Sequence, residues 1–277
     1  MTGKAPTHYD RNGHDNAPTE PAAPTNEGEA ASSSGQCASA TNEWMIYIDG
    51  LNFYNAVLRG QPTLKWVDFT EFASHLPPAG GKVSRTKYFT SQISEKAAED
   101  PASVRRRRVF IQAVRASGVD VFEGKFQVPD LWRTVSTQHD WSDRFRPRLP
   151  VEVLKEFGEH FASHDDRPWK VRVRLPQEKF TDVAIASHLL RDFYKGTCTK
   201  AILVSNDSDL SPAIELAVGD GHTVWVFSPA ESVSRDLNRV ASLARPLRRN
   251  LVRQCQMPDI VRMPDQVQTL ERPAAWK

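Results

Sequence analysis

Ala201-Ile202-Leu203-Val204-Ser205-Asn206-Asp207-Ser208-Asp209 decides the fold of this chain. Four apolar residues in a row read as a strand buried on both faces, and two acids follow where the run stops. A helix is predicted from Leu210 to Val218, stopped by Gly219-Asp220-Gly221, and a strand from Thr223 to Phe227. Upstream, Val183, Ala186, Leu190 and Phe193 recur on one helical face, with Leu189 beside them. Such strand–helix–strand alternation predicts an α/β fold with a mainly parallel sheet.

Working outward, the same pattern opens the ordered chain. Trp44 to Ile48 reads as a buried strand, followed by Asp49-Gly50-Leu51-Asn52. Helical starts at Phe53–Arg59 and Val67–Leu76, a strand at Lys82–Thr90, a helix from Pro101 to Ser117 and a strand at Val119–Phe122 come next. Gly118 supplies the stop of the long helix. Residues 1–42 are rich in Pro, Ala, Thr, Ser and Asn and carry almost no large apolar groups, so a disordered tail is expected. Residues 127–177 are poorly periodic and read as a basic, Trp-containing, partly helical insertion into a domain spanning 43–245. The C-terminal extension, 246–277, reads as irregular beyond Arg253, with Pro258, Pro264 and Pro273 as breakers.

Bulk properties narrow the class. Across 277 residues the net charge of +2 does not by itself imply nucleic-acid binding. No apolar run is long enough to span a membrane and the N-terminus lacks the apolar core of a signal peptide, so a cytoplasmic protein with no membrane partner is expected. Cys37, Cys198 and Cys255 are far apart and form no metal-ligand spacing.

The acids carry the chemistry. In open α/β sheets ligands bind just outside the carboxyl ends of the strands, and Asp49, Asp207 and Asp209 follow strands there. Asp182 lies at the start of a helix, on the face of Ala186 and Leu189, and is expected to point toward the sheet. Each acid has a plainer role open to it, as a turn residue, a helix cap or a complement to the helix dipole. Together the four would repel one another unless a cation neutralised them, and oxygen-only ligands suit Mg²⁺ or Mn²⁺. Asn52, Ser205 and Ser208 can support the acids by hydrogen bonding.

Asp49-Gly50-Leu51-Asn52, Glu178-Lys179-Phe180-Thr181-Asp182-Val183 and Leu203 to Ile214 resemble the signature of the NYN domain family, within the PIN-like nuclease superfamily. Tyr88-Phe89-Thr90 and Glu123-Gly124-Lys125-Phe126 resemble its secondary motifs, and the resemblance spans about residues 44–245. It implies a Rossmann-like three-layer α/β/α sandwich whose acids bind Mg²⁺ or Mn²⁺ and hydrolyse RNA phosphodiesters. Asp49, Asp182, Asp207 and Asp209 would be the metal-binding and catalytic acids, and Lys179 would lie near substrate phosphate. Two positions depart from the family pattern. Asn206 stands where Gly is common, and is expected to serve because Asn tolerates a left-handed turn. His188 stands where an acid is frequent.

On the substrate side, Arg105-Arg106-Arg107-Arg108 fills one helical turn and reads first as a solvated surface. Arg144, Arg146, Arg172 and Arg174, interleaved with Trp141, Phe145 and Trp169, suit a single-stranded RNA, whose phosphates pair with Arg and whose bases stack on rings. They equally suit a surface excursion anchored by its tryptophans. Arg172 and Arg174 alternate with Val171 and Val173, as on an edge strand with one basic face. The reading is a metal-dependent endoribonuclease in which Asp209 orients the attacking water. The alternative is a PIN-like RNA-binding or regulatory protein with little turnover, and a phosphatase stands third. A homo-oligomer stays open.

Overall fold

The computed structural model describes residues 42–92, 100–127, 130–134, 170–174, 177–263 and 268–277. The strands are β1 (Glu43–Asp49), β2 (Lys82–Gln92), β3 (Asp120–Gln127), β4 (Asp130–Thr134), β5 (Lys170–Arg174), β6 (Gln177–Lys179), β7 (Lys200–Val204), β8 (Thr223–Ser228), β9 (Leu243–Pro246), β10 (Ile260–Arg262) and β11 (Thr269–Glu271). The α-helices are α1 (Gly50–Phe53), α2 (Phe69–Ser74), α3 (Pro101–Ala116), α4 (Thr181–Tyr194), α5 (Ser211–Gly219), α6 (Arg235–Val240) and α7 (Arg249–Gln254). Seven strands form one sheet in the order β6-β3-β2-β1-β7-β8-β9. Only β6 runs antiparallel, against β3.

The unbroken apolar runs have a direct structural cause. Trp44, Met45, Ile46, Tyr47 and Ile48 are all buried because both faces of the central strand are covered. Trp44, Ile46 and Ile48 join one core with Ile202 and Val204 of β7 and with Phe69, Phe72, Phe110 and Val114 of α2 and α3. Met45, Tyr47, Ala201 and Leu203 point the other way, to Ile185, Leu189, Ile214 and Leu237 of α4, α5 and α6. The strand period of two thus sorts one sequence into two cores, giving the expected three layers. β1 lies between β2 and β7, so the chain order reverses at its edge with β7, which opens a crevice at the carboxyl ends of those two strands.

Gly50 is where β1 leaves the sheet. A Cβ there would stand 2.6 Å from the Phe89 carbonyl oxygen and 2.6 Å from the Tyr88 ring. The backbone oxygen cannot give way as a flexible side chain would. Gly50→Ala is therefore expected to destabilise the fold by about 1–3 kcal/mol, the usual cost of overpacking, as read from the denaturant midpoint. An unchanged midpoint would show that the Asp49 turn tolerates displacement.

Several expectations are corrected. Val183 is 68% exposed, and the buried residues of α4 are Thr181, Ile185, Leu189, Asp192 and Phe193. In the first turn of α4 Asp182 and Val183 are exposed while Thr181 beside them is buried. Within 127–177, β4 and β5 pair antiparallel, with Arg172 and Arg174 on β5, and the partly helical reading of the insertion falls on residues outside the described ones. The chain beyond Arg253 is not irregular throughout. β10 and β11 pair antiparallel, and Trp276 is buried with its ring 6.2 Å from Trp66 and 6.0 Å from Phe110. Arg272 holds this segment down by donating to the carbonyl oxygens of Thr63 and Trp276. Pro258 and Pro273 lie outside the strands and do not prevent an aromatic anchor. The tail at 1–41, Arg144 and Arg146 lie outside the described residues.

Candidate metal centre

Asp49 ends β1 and caps α1, with its Oδ1 accepting from the Asn52 backbone N–H at 3.0 Å. Its other oxygen accepts from the Ser205 hydroxyl at 2.8 Å, across the β1–β7 edge. The Ser205 Oγ in turn accepts from the Asp207 N–H at 3.1 Å, so one buried hydroxyl ties two of the expected acids together. Asp207 caps the short turn Ser208–Leu210, accepting from the Asp209 N–H at 3.0 Å. The capping roles are therefore real, and they orient the acids that line the crevice.

Asparagines brace the two loops. The Asn52 side-chain oxygen accepts from the Asn206 N–H at 3.1 Å, and the Asn206 side-chain oxygen accepts from the Ser234 N–H at 2.7 Å. The expectation of a left-handed Asn206 is not met: among the described non-glycine residues, positive φ occurs at Phe180 alone. Asn206 is used for its amide, which links the β7 loop to the loop before α6.

The resulting cleft has a volume of about 430 Å³ and is lined by Asp49, Asn52, Asn55, Asp182, Asn206 and Asp207, among others. Asp182 is exposed at its mouth and does not face the sheet as the helical pattern implied. Asp209 and Ser208 are exposed one turn further on and are not among the lining residues. Lys179 ends the antiparallel edge strand β6, two residues before α4. Asn55 is a lining residue that sequence reasoning missed, although its spacing of three from Asn52 puts both on one helical face. Carboxylate and amide oxygens from three segments fit a hard divalent cation. Among the described residues, the set of potential ligand atoms lying within 4.8 Å of one another is a different one, Glu71, His75 and Cys255, so closing the aspartates on an ion requires side-chain rotation.

Phe180 bears local strain. It sits at φ 81°, directly before α4, and is 61% exposed. A bulky residue in the left-handed region costs about 1–3 kcal/mol and such outliers gather at functional sites. Behind the cleft, His188 packs 4.2 Å from the Phe122 ring, and burial, then the nearby Lys87 charge, hold its pKa below the ordinary histidine value. It is a neutral packing residue where an acid was in question.

On the other side of Leu51 lies a second cavity of about 190 Å³, bordered by Tyr54, Tyr88 and Trp276 and by Lys65, Arg106 and Arg107. Leu51 lines both cavities. Two members of the arginine run thus face a cavity, which the bland reading of a solvated surface did not anticipate.

A family model described as the NYN domain matches residues 43–247. The chain is similar to 6-hydroxy-3-succinoylpyridine 3-monooxygenase HspA of Pseudomonas putida, with 27% identity over 255 residues, covering 83% of this chain and 74% of that protein. It is also similar to the solved structure of a protein of unknown function from Vibrio parahaemolyticus, with 15% identity and a TM-score of 0.40, covering 76% of this chain and 96% of that one. No helix among the described residues is long and apolar enough to cross a membrane. The chain belongs to the NYN domain family, a PIN-like nuclease family.

Proposed function

We propose that this NYN-family chain is a metal-dependent ribonuclease that hydrolyses RNA phosphodiester bonds, with single-stranded RNA as substrate. The observation that carries the reading is the cleft at the β1–β7 switch point, where Asp49, Asp182 and Asp207 converge with the amides of Asn52, Asn55 and Asn206. Mg²⁺ or Mn²⁺ bound there would lower the pKa of a water and offset charge on the phosphoryl oxygens. Asp49 would hold the deep side of the ion, its orientation set by Ser205 and Asn52. Asp207 would take the second side, fixed by its turn, and Asp182 the open mouth facing substrate. Asp209 would act from the rim, positioning Asp207 through its N–H and accepting a proton from the attacking water. In-line attack at phosphorus would expel the 3′-oxygen, which takes a proton from solvent, leaving a 5′-phosphate and a 3′-hydroxyl.

The surroundings support a nucleic-acid substrate. The cavity beyond Leu51 combines tyrosines and a tryptophan with Lys65, Arg106 and Arg107, which suits a base and its flanking phosphates. Lys179, Arg172 and Arg174 would add phosphate contacts from β6 and β5. Phe180 would offer its exposed ring as a stacking platform beside Asp182, a use that accounts for its strain. Phe180→Gly is expected to raise the denaturant midpoint by relieving about 1 kcal/mol or more while weakening RNA binding. Base–aromatic stacking is worth about 1–3 kcal/mol, so roughly a 5- to 150-fold loss is predicted in a fluorescence titration. Unchanged affinity would remove Phe180 from the substrate path.

A second reading is an oxygenase acting on an aromatic acid. The named relative favours it, and the aromatic, cation-rimmed cavity would accept a planar carboxylate. The discriminating experiment offers the full-length protein a mixed single-stranded RNA with Mn²⁺, 6-hydroxy-3-succinoylpyridine with NADH and oxygen, and an aryl phosphate. RNA fragments with 5′-phosphates support the nuclease. Substrate-dependent oxygen uptake without RNA cleavage would overturn it.

A further inference from the structure

Cys255 follows α7, far in sequence from α2, yet the fold places its thiol against the C-terminal end of that helix. The Sγ of Cys255, a ring nitrogen of His75 and a carboxylate oxygen of Glu71 lie within 4.8 Å of one another. Glu71 and His75 are four residues apart and so share one helical face. We propose that these three residues form a second metal site, for Zn²⁺ or a similar borderline-soft ion, which fastens the C-terminal segment to α2 and is separate from the aspartate cleft.

The donor set chooses the ion. Thiolate, imidazole and one carboxylate together suit Zn²⁺, whereas the oxygen-only cleft suits Mg²⁺ or Mn²⁺. A tetrahedral zinc ion, with bond lengths of about 2.0–2.3 Å, spaces its ligand atoms roughly 3.3–3.6 Å apart. Glu71 and His75 are exposed, and a turn of their side chains closes the remaining distance. Binding would exchange the Cys255 S–H bond for a metal–thiolate bond, releasing the proton to solvent. Three protein ligands leave the fourth position to water on the exposed side.

The frame holding these ligands is already rigid. Asp68 caps α2, accepting from the N–H groups of Thr70 and Glu71. The Asp68 N–H donates to the Cys255 carbonyl oxygen at 3.0 Å, and the Met257 N–H to the Trp66 carbonyl oxygen at 2.9 Å. Val67 and Gln256 form an antiparallel bridge between those contacts, and the Trp66 indole N–H donates to the Pro258 carbonyl oxygen at 2.9 Å. Cys255 itself is fully buried and makes no disulfide. Its backbone is thus fixed against the helix whose side chains complete the site, so little ordering remains to oppose metal capture.

Cobalt titration of the chelator-stripped full-length protein tests this, because a thiolate-to-cobalt charge-transfer band cannot come from the aspartate cleft. One equivalent of Co²⁺ is expected to give the band and one equivalent of Zn²⁺ to abolish it. Cys255→Ser should remove it and Cys198→Ser should leave it. His75→Ala changes an exposed side chain, so its fold is secure, and it should weaken Co²⁺ binding by more than about tenfold, since even outer partners of a metal site are worth that much. No band in excess Co²⁺, a band that survives Cys255→Ser, or one indifferent to His75→Ala would overturn the proposal. None of these outcomes depends on whether RNA is cleaved.

Discussion

Asp192→Ala is expected to cost about 3–5 kcal/mol, the usual loss when one member of a buried ion pair is removed, and to lower the denaturant midpoint accordingly. Asp192 sits in the buried stripe of α4 and pairs with the Lys87 ammonium, which is also buried. The Tyr47 hydroxyl donates to the same carboxylate. Tyr47 and Lys87 are register partners on β1 and β2, so the three groups meet directly under the helix. Burial, reinforced by the hydrogen bond to Asp192, pushes the Tyr47 phenol far above its ordinary value, so it stays a neutral donor. Without Asp192 the lysine would lie buried with its charge uncompensated. The double variant Lys87→Met, Asp192→Leu removes both charges together and should recover part of the loss, because paired apolar replacements of buried ion pairs are often neutral or better. The Tyr47 hydroxyl, left with the weaker Met45 sulfur as acceptor, retains about 1–3 kcal/mol of the cost. A single variant as stable as the parent would show that water or another group reaches Lys87. The pair also fixes α4, and with it Asp182, so the single variant should lower activity as well.

The second large effect is on activity. Asp49→Asn should reduce RNA cleavage at saturating metal by at least about 10²-fold, comparable to deleting one electrostatic group from an active site. The change preserves shape. Asn keeps one acceptor for the Asn52 N–H, while its amide can donate to the Ser205 Oγ, which must then turn its own hydroxyl elsewhere. Stability should therefore shift by only about 1–2 kcal/mol, the scale of one lost or unmatched hydrogen bond. Large loss of turnover with a nearly unchanged midpoint is the signature to look for in single-turnover kinetics beside denaturant melts. Cleavage near the parental rate would take Asp49 out of the reaction.

Much of the fold was legible because the central strands are covered on both faces. Trp44–Ile48 and Ala201–Val204 are unbroken apolar runs for that reason, and the acids follow where the strands leave their cover. Helix phase was harder to read. Val183 and Ile185 are both β-branched and apolar, and only tertiary packing decides that the first faces solvent and the second the core. Asp192 carried a signal in its spacing, seven residues after Ile185 and three after Leu189, which marks an acid at a core position. Its partner Lys87 lies on another element, and no local pattern joins them. The same holds for Glu71, His75 and Cys255: their ligand spacing exists in space and not along the chain. Trp276 shows the converse, a large apolar group among prolines whose burial depends on a distant pocket around Trp66 and Phe110.

The central claim is that the aspartate cleft hydrolyses RNA with a divalent ion. The most direct measurement is the rate of single-stranded RNA cleavage by the full-length protein in Mn²⁺ and in EDTA, with Asp207→Asn alongside. The account predicts 5′-phosphorylated fragments in Mn²⁺, none in EDTA, and a loss of at least about 10²-fold in the variant with RNA binding retained. Cleavage that persists in EDTA or in Asp207→Asn, or RNA bound without cleavage in Mn²⁺, would contradict it.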